Sequence, residues 1–271
     1  MIMVSATPLA IEGGLRLKGT HKKSRPGKPL VTIVTATFND AADLLRTVRA
    51  VRELTYKNVE WIIVDGGSRD GTVEVIRQNE NVIDYWISEP DRGIYDAWNK
   101  GVSRANGDWI SFLGAGDCYH PDAIDRYVSA IGALPSIPQL ASSLVRHVNR
   151  SGKTLRVWGS RFEGEKFRKY MTISHCGALH HRSLFEKHGL FDTSYSCASD
   201  YEFLMRCRAG LDAIFVDVVT TDMLVGGVSN GYKPLFETYR IQRKYGEGPA
   251  AMIWLCVACA KRFVRPLLRG Y

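Results

Sequence analysis

Four carboxylates in this 271-residue chain stand where an apolar run gives way to polar residues, the places where a side chain could do chemistry. Asp65 follows VEWIIV and precedes Gly66 and Gly67. A carboxylate there can accept the imide or amino proton of a nucleobase, while the glycines let a backbone come close. The same residues, with Ser68 and the Asp70-Gly71 pair, also read as ordinary turn chemistry with a helix cap. Asp96 and Asn99 fall on one face of a helical stretch, so two polar groups can address one ligand; a solvated helix face is the alternative. Asp117 is the lone carboxylate of LGAGD. Asp200 follows Ser199 just before an apolar-periodic helix, where either residue is a good N-cap, and a capping position also aims a carboxylate out of the sheet edge. His180 and His181 read as packing or surface residues, and no zinc site is expected from these histidines. Cys256 and Cys259 form a CxxC in apolar surroundings with no second ligand pair nearby, which reads as packing.

These residues need elements to position them. Leu30 to Ala36 is a short β-branched run followed by Thr37, Phe38, Asn39 and Asp40, then the helical pattern Leu44, Leu45, Val48, Val51 and Leu54. Strands are expected at Val59 to Val64, Ile83 to Ser88 and Trp109 to Leu113, with helices at Thr72 to Gln78 and Ile94 to Ala105. Such alternation implies right-handed crossovers and a parallel sheet, whose ligands bind outside the carboxyl ends of the strands, where the polar clusters fall. Further on, the pattern predicts a helix over Pro121 to Ile131 and two strands within Gln139 to Trp158 around a turn at Arg150 to Gly152. Helices at Leu184 to Gly189 and Asp200 to Ala209 and a strand at Ala213 to Thr220 complete the reading. Residues 1–28 show little periodicity and are expected as a mobile basic lead-in.

Three stretches, in order, resemble the family 2, GT-A type glycosyltransferases of bacterial polysaccharide assembly over roughly residues 29–240. The first is TIVTATFND with EWIIVDGGSRDGT. The resemblance implies that Thr35, Thr37 and Asn39 line a nucleotide-sugar site and that Asp65 accepts a hydrogen bond from the base. The second, SEPDRGIYDAWNKGVSRANGDWISFL, is the most specific; it implies Asp91, Arg92 and Gly93 near the nucleotide and Asp96 and Asn99 beside the sugar diphosphate. It leads to LGAGD, where relatives carry an Asp-x-Asp type element. The resemblance makes Asp117 the ligand of Mg²⁺ or Mn²⁺, since one carboxylate with phosphate oxygens and water can hold a hard cation. Gly114 and Gly116 depart from that element. The third stretch, ISHCGALHHRSLFEKHGLFDTSYSCASDYEFLMRC, implies Asp200 as catalytic base for an inverting transfer and His175 as an acceptor or phosphate contact. VGGVSNGYK resembles a lid over the sugar nucleotide.

The fold that follows is α/β: a GT-A type, Rossmann-like, mostly parallel mixed sheet flanked by helices. Residues 29–117 form the nucleotide-sugar half and 118–240 the acceptor half, with 241–271 a C-terminal amphipathic basic helical extension. The expected partners are a UDP- or GDP-sugar donor and a glycan or lipid-linked acceptor. The net charge of +8 is concentrated at the two ends, which suggests an anionic surface, and the apolar run AAMIWLCVACA before KRFVR suits a membrane interface. No run reaches the ~18 apolar residues of a membrane span, and Met1 to Ala10 lacks the pattern of a secretory leader. Six scattered cysteines read as free thiols. A cytoplasmic protein, peripheral on the inner membrane's cytoplasmic face, is the resulting expectation. The loop ATFND lacks GxGxxG, which excludes a dinucleotide oxidoreductase, and no nucleic-acid module accompanies the charge. The thinned Asp-x-Asp element leaves open a nucleotide-sugar-binding scaffold without turnover.

Overall fold

A computed structural model describes residues 10–226, 231–248 and 251–259. Strand β1 (Ile11–Gly13) and a 3-10 turn (Leu15–Lys18) precede the units β2 (Val31–Thr37), α1 (Ala41–Glu53), β3 (Val59–Asp65), α2 (Thr72–Gln78), β4 (Tyr85–Ser88), α3 (Ile94–Arg104) and β5 (Trp109–Phe112). Then come β6 (Cys118–Tyr119), α4 (Ala123–Gly132), β7 (Leu140–Val148), β8 (Thr154–Trp158), α5 (Gly164–Phe167), β9 (Ala178–His181), α6 (Arg182–His188), α7 (Ser199–Cys207), β10 (Ala213–Leu224) and α8 (Lys233–Lys244). Residues 251–259 are helical.

All strands join one mixed sheet in the order β1-β4-β3-β2-β5-β9-β7-β10-β6, with β8 hydrogen-bonded to β7. The β4-β3-β2-β5 part is parallel, as the βα alternation requires, and β7 runs parallel to β10, while β9 joins the halves antiparallel to both β5 and β7. Both faces of β2 and β3 are buried, so their side chains alternate between two cores. Val34, Ile62 and Val64 enter one with Trp98 and Phe112; Val31, Ile33, Trp61 and Ile63 enter the other with Leu44 and Trp109. The parallel strands β2, β3 and β5 all end toward one side, where the polar loops gather.

The amino-terminal ends of these strands are closed by a buried polar network. Glu60 accepts hydrogen bonds from Thr32 Oγ1 (2.7 Å), Asn106 N (2.7 Å) and Asn106 Nδ2 (2.6 Å). Here the expectation for residues 1–28 is corrected in its described part. Strand β1 pairs antiparallel with β4, Arg16 Nη1 donates to the Arg104 carbonyl (2.7 Å), Lys22 pairs with buried Asp84 (2.8 Å) and Lys18 with Glu80 (2.6 Å). Apolar β4 needs a partner at its edge, and the basic residues neutralise the acids beneath it instead of forming a free basic tail. A three-residue strand has no periodicity to reveal it.

The turn between β7 and β8, Asn149 to Gly152, lies where the sequence places it. Strand β10 runs four residues past the expected Thr220, through irregularities between Val216 and Thr221 that a period-two pattern cannot follow. Helix α8 crosses the boundary drawn at residue 240, and Ile241 is fully buried in the core. The central residues of the expected lid, 227–230, and the basic residues Lys261, Arg262, Arg265 and Arg269 lie outside the described residues. No described helix is long and apolar enough to cross a membrane, and Cys256 and Cys259 are free.

Deleting residues 1–18 should lower Tm by at least ~4 °C, because the edge strand and its ion pairs leave with them. An unchanged melting curve by circular dichroism would contradict this role for β1.

Candidate functional site

One cavity of about 1110 Å³ opens at the carboxyl ends of β2 and β5. It takes residues from the end of β2 (Thr37) and the loop after it (Phe38, Asp40), the start of α1 (Asp43), the entry to α3 (Asp91, Gly93) and its first turn (Tyr95), and the loop after β5 (Gly114, Asp117). The acceptor half adds His147, Arg150, Trp158, His175, Cys197 and Asp200, and Leu235, Gln242 and Trp254 close it from the C-terminal segments. Of the residues singled out in the sequence, the structure brings Thr37, Asp91, Gly93, Asp117, His175 and Asp200 to this one space.

The others lie beside it. Thr35 is buried within the sheet, where its Oγ1 accepts from Trp61 Nε1 (3.0 Å). The Asp65 carboxylate is fully buried and accepts from Gly67 N (3.1 Å), Ser68 N (2.9 Å), Ser88 Oγ (2.5 Å) and the Ser68 hydroxyl. It shapes the turn of Gly66 and Gly67. Asn39 has a positive φ of 49° and links two loops, its Oδ1 accepting from Arg69 N (2.8 Å) and its N donating to Ser68 Oγ (2.7 Å). Asp96 accepts from Arg92 N (3.1 Å) and Arg92 Nη2 (3.2 Å), and the Arg92 side chain is largely exposed. Asn99 bonds both backbone groups of Phe191 at 2.9 Å, fastening α3 to the loop before α7. Periodicity places these residues on the right elements but cannot say which way each polar group is already engaged.

Asp117 is half-buried, and its Oδ1 accepts the Leu224 amide (2.8 Å). Burial pushes its pKa up to about 7. The departure at Gly116 has a packing cause. Gly116 has φ +90°, and a Cβ there would lie 2.8 Å from Leu224 Cδ2 and 3.2 Å from Asp43 Cβ. Neither the backbone nor the space accepts a side chain. Asp43, nearly buried, is paired with Arg150 (Nη1 to Oδ1 2.8 Å, Nη2 to Oδ2 2.7 Å), and burial followed by the charge of Asp43 raises Asp40 to about 6. Among the described residues, no group of three or more His, Cys, Asp or Glu side chains could hold a metal ion. A cation at this place would have to take one carboxylate from Asp117 and its remaining oxygens from phosphate and water.

Asp200 lies in the first turn of α7, with Ala198 rather than Ser199 as the N-cap. Its Oδ1 accepts from Tyr95 Oη (2.9 Å) and Tyr201 N (2.9 Å), and burial raises its pKa. Tyr95 and Glu237 are the residues that sequence reasoning missed. The Glu237 carboxylate on α8 accepts from Ser196 N (2.9 Å), Ser196 Oγ (2.9 Å), Cys197 N (2.8 Å) and Ala198 N (3.0 Å), fixing the turn that presents Asp200. Tyr95 stands inside the GIYDAWNKG stretch, which carried the signal; Glu237 has none, because its partners are backbone amides far away in sequence.

His175 stacks on Phe112 (ring centroids 4.9 Å apart, 14° between planes), and burial lowers its pKa to about 3, so the ring is neutral. Both its nitrogens are buried without a protein partner, as are Thr37 Oγ1, Trp98 Nε1 and His147 Nε2, and all four residues line the cavity. Buried polar atoms are rarely left unpaired, so their gathering around one space marks a place for a polar ligand.

The raised pKa of Asp117 has a thermodynamic sign. The folded state keeps a proton that the unfolded chain gives up near 3.8, so the contribution of this group is fully present below that value and is lost as pH rises through about 7. Asp117→Asn retains the Leu224 acceptor but cannot ionise. Its Tm relative to the parent should therefore climb between pH 4 and pH 8, and a constant difference would contradict the buried ionisation.

Comparison with known proteins gives this geometry its context. The family described as glycosyl transferase family 2 matches residues 32–189. An uncharacterised glycosyltransferase of Mycobacterium tuberculosis is 31% identical over 215 residues, covering 76% of this chain and 79% of the relative. A PGL/p-HBAD biosynthesis glycosyltransferase of Mycobacterium bovis is 30% identical over 212 residues, covering 74% and 80%. Among solved structures, the mannosyltransferase PcManGT of Pyrobaculum calidifontis, in complex with GDP-Man and Mn²⁺, superposes with a TM-score of 0.60 at 18% identity over 90% of this chain and 76% of that one. S. aureus TarS 1-349 gives a TM-score of 0.61 at 11% identity, with 80% of this chain matched but only 65% of TarS 1-349, so the chain spans just under two thirds of that length. The α/β sheet thus has the GT-A architecture of these transferases. The order of elements, the strand-end cavity and the family match over more than half of the chain lead to one conclusion: this protein belongs to glycosyl transferase family 2 and is a glycosyltransferase.

Proposed function

We propose that the chain transfers a sugar, with inversion, from a nucleoside diphosphate sugar to a glycan or lipid-linked acceptor in surface polysaccharide or glycolipid assembly. The observation that carries this reading is the presence of two half-buried carboxylates with raised pKa, Asp117 and Asp200, on one cavity with the unpaired polar atoms of Thr37, Trp98 and His175. Solved neighbours support the donor class, since PcManGT holds GDP-Man and TarS holds UDP-GlcNAc.

In this reading the nucleotide lies against Thr37, Phe38 and Asp91, with the Asp43–Arg150 pair on the same cavity. A Mg²⁺ or Mn²⁺ ion held by Asp117 and the phosphates would offset charge on the leaving group. Asp200 takes the proton of the acceptor hydroxyl as that oxygen bonds to the anomeric carbon and the bond from that carbon to the diphosphate oxygen breaks. Burial makes Asp200 a stronger base than an exposed aspartate, and Tyr95 orients it. Neutral His175 offers a hydrogen bond to a hydroxyl, not a charge to a phosphate. The helical residues 251–259 expose Met252, Ile253 and Val257, which suits a peripheral position on the cytoplasmic membrane face.

Asp200→Asn should lower kcat by on the order of 10²–10⁴-fold while nucleoside diphosphate affinity stays within about two-fold of the parent. Undiminished transfer by this variant would remove Asp200 as the base. The thinned element at Gly114 and Gly116 favours one other reading, a binding scaffold, and that reading gains if the parent binds donor but forms no product with metal and a range of acceptors.

A further inference from the structure

The hairpin of β7 and β8 sets two arginines, Arg150 and Arg156, on a cavity whose nucleotide half contributes Asp40, Asp43, Asp91 and Asp117. Strand register decides what surrounds each of them. His147 pairs opposite Arg156 and Val145 opposite Trp158, and alternation along β8 puts Arg156 and Trp158 on one face; His147, Arg156 and Trp158 all line the cavity. On the other side of β7, Met223 and Leu224 of β10 pair with His147 and Val148, and the Leu224 amide is the donor that fastens Asp117. His147 therefore stands beside the strand position that holds the candidate cation ligand.

The two nitrogens of the His147 ring have different partners. Nδ1 accepts from Arg156 Nε (3.3 Å), and burial, followed by the Arg156 charge, lowers the pKa to about 4. A neutral imidazole whose Nδ1 accepts carries its proton on Nε2. That N–H is buried on a residue only 6% exposed, and no described residue accepts it. Arg156 in turn lies over the Trp158 ring, its Cζ 5.1 Å from the ring centre. Both of these contacts are with neutral groups, so they orient the guanidinium without cancelling its charge. Arg150 differs, because its charge meets Asp43 and ties the hairpin turn to α1. A buried N–H donor beside an oriented guanidinium suits a ligand oxygen that carries negative charge. The donor brings such oxygens on its diphosphate, and a diphosphate set among the carboxylates of the nucleotide half needs positive charge from another wall.

We propose that His147, through Nε2–H, and Arg156, through its guanidinium, bind the terminal phosphate of the nucleoside diphosphate, the phosphate that leaves the sugar. The proposal rests on the transferase reading and adds leaving-group contacts to it. UDP, UMP, GDP and GMP are titrated calorimetrically, with Mn²⁺ in excess, into the full-length parent, Arg156→Gln, Arg156→Lys and His147→Ala. The parent should prefer the diphosphate of one base over its monophosphate. Arg156→Gln and His147→Ala should each cut that preference by at least about ten-fold, the loss of a hydrogen bond to a charged group, with monophosphate affinity unchanged. Arg156→Lys should recover part of it, keeping the charge but not the planar fork. Arg156 is exposed on a strand that is hydrogen-bonded to β7 alone among the described residues, so its variants keep the test valid even where loss of the His147 ring lowers stability. A preference unchanged in Arg156→Gln, or an equal loss of monophosphate and diphosphate affinity, would overturn the proposal while leaving nucleotide binding intact. A parent that binds none of the four nucleotides would instead sink the donor reading, and these contacts with it.

Discussion

A carboxylate drawn partly out of water resists ionisation unless something compensates it, and two such groups, Asp117 and Asp200, set the terms for the rest of this structure. Neither sits in a flexible loop. Asp117 is held by the amide of Leu224 at the far end of the longest strand, and Asp200 by Tyr95 from the helix that follows the most specific stretch of the sequence. Each therefore depends on contacts between the two halves of the sheet, which β9 joins. A cation or a proton arriving in the cavity would relieve a cost already built into the fold.

The closed end of the sheet makes that possible. Glu60 and Asp84 are buried there too, but hydrogen bonds and the cations of the N-terminal segment satisfy them. Where acids are fully partnered they hold strands together, and where partners are missing the structure offers a site. The same contrast separates Asp65, which accepts four hydrogen bonds from its own turn and Ser88, from His175, whose two nitrogens have none.

Much of this was legible in the sequence. The parallel half was readable because its strands are continuous apolar runs and its helices amphipathic, and the three residues Asp91, Asp117 and Asp200 that the family resemblance singled out line one cavity. The short strands β1, β6 and β9 were not readable, since two to four residues carry no period. Nor could the sequence tell an engaged polar group from a free one: Thr35, Asp65 and Asn99 have suitable types at suitable places, yet they are bonded to Trp61, to the Ser68 turn and to Phe191. Glu237 was invisible for the opposite reason, because nothing local distinguishes an exposed helix glutamate from one that caps three distant amides. The glycines of LGAGD read as a loss of metal-binding acids; the structure gives Gly116 a second meaning, the room required by Asp43 and Leu224.

The central claim is that Asp117 meets the diphosphate of a sugar nucleotide through a divalent cation, on the same cavity as Asp200. The most direct measurement is calorimetric titration of UDP and GDP into the parent and into Asp117→Asn, each with and without Mn²⁺. The account predicts that one nucleotide binds the parent tightly only with Mn²⁺ and that Asp117→Asn loses this metal dependence. Equal binding with and without metal, or a metal effect preserved in Asp117→Asn, would contradict it.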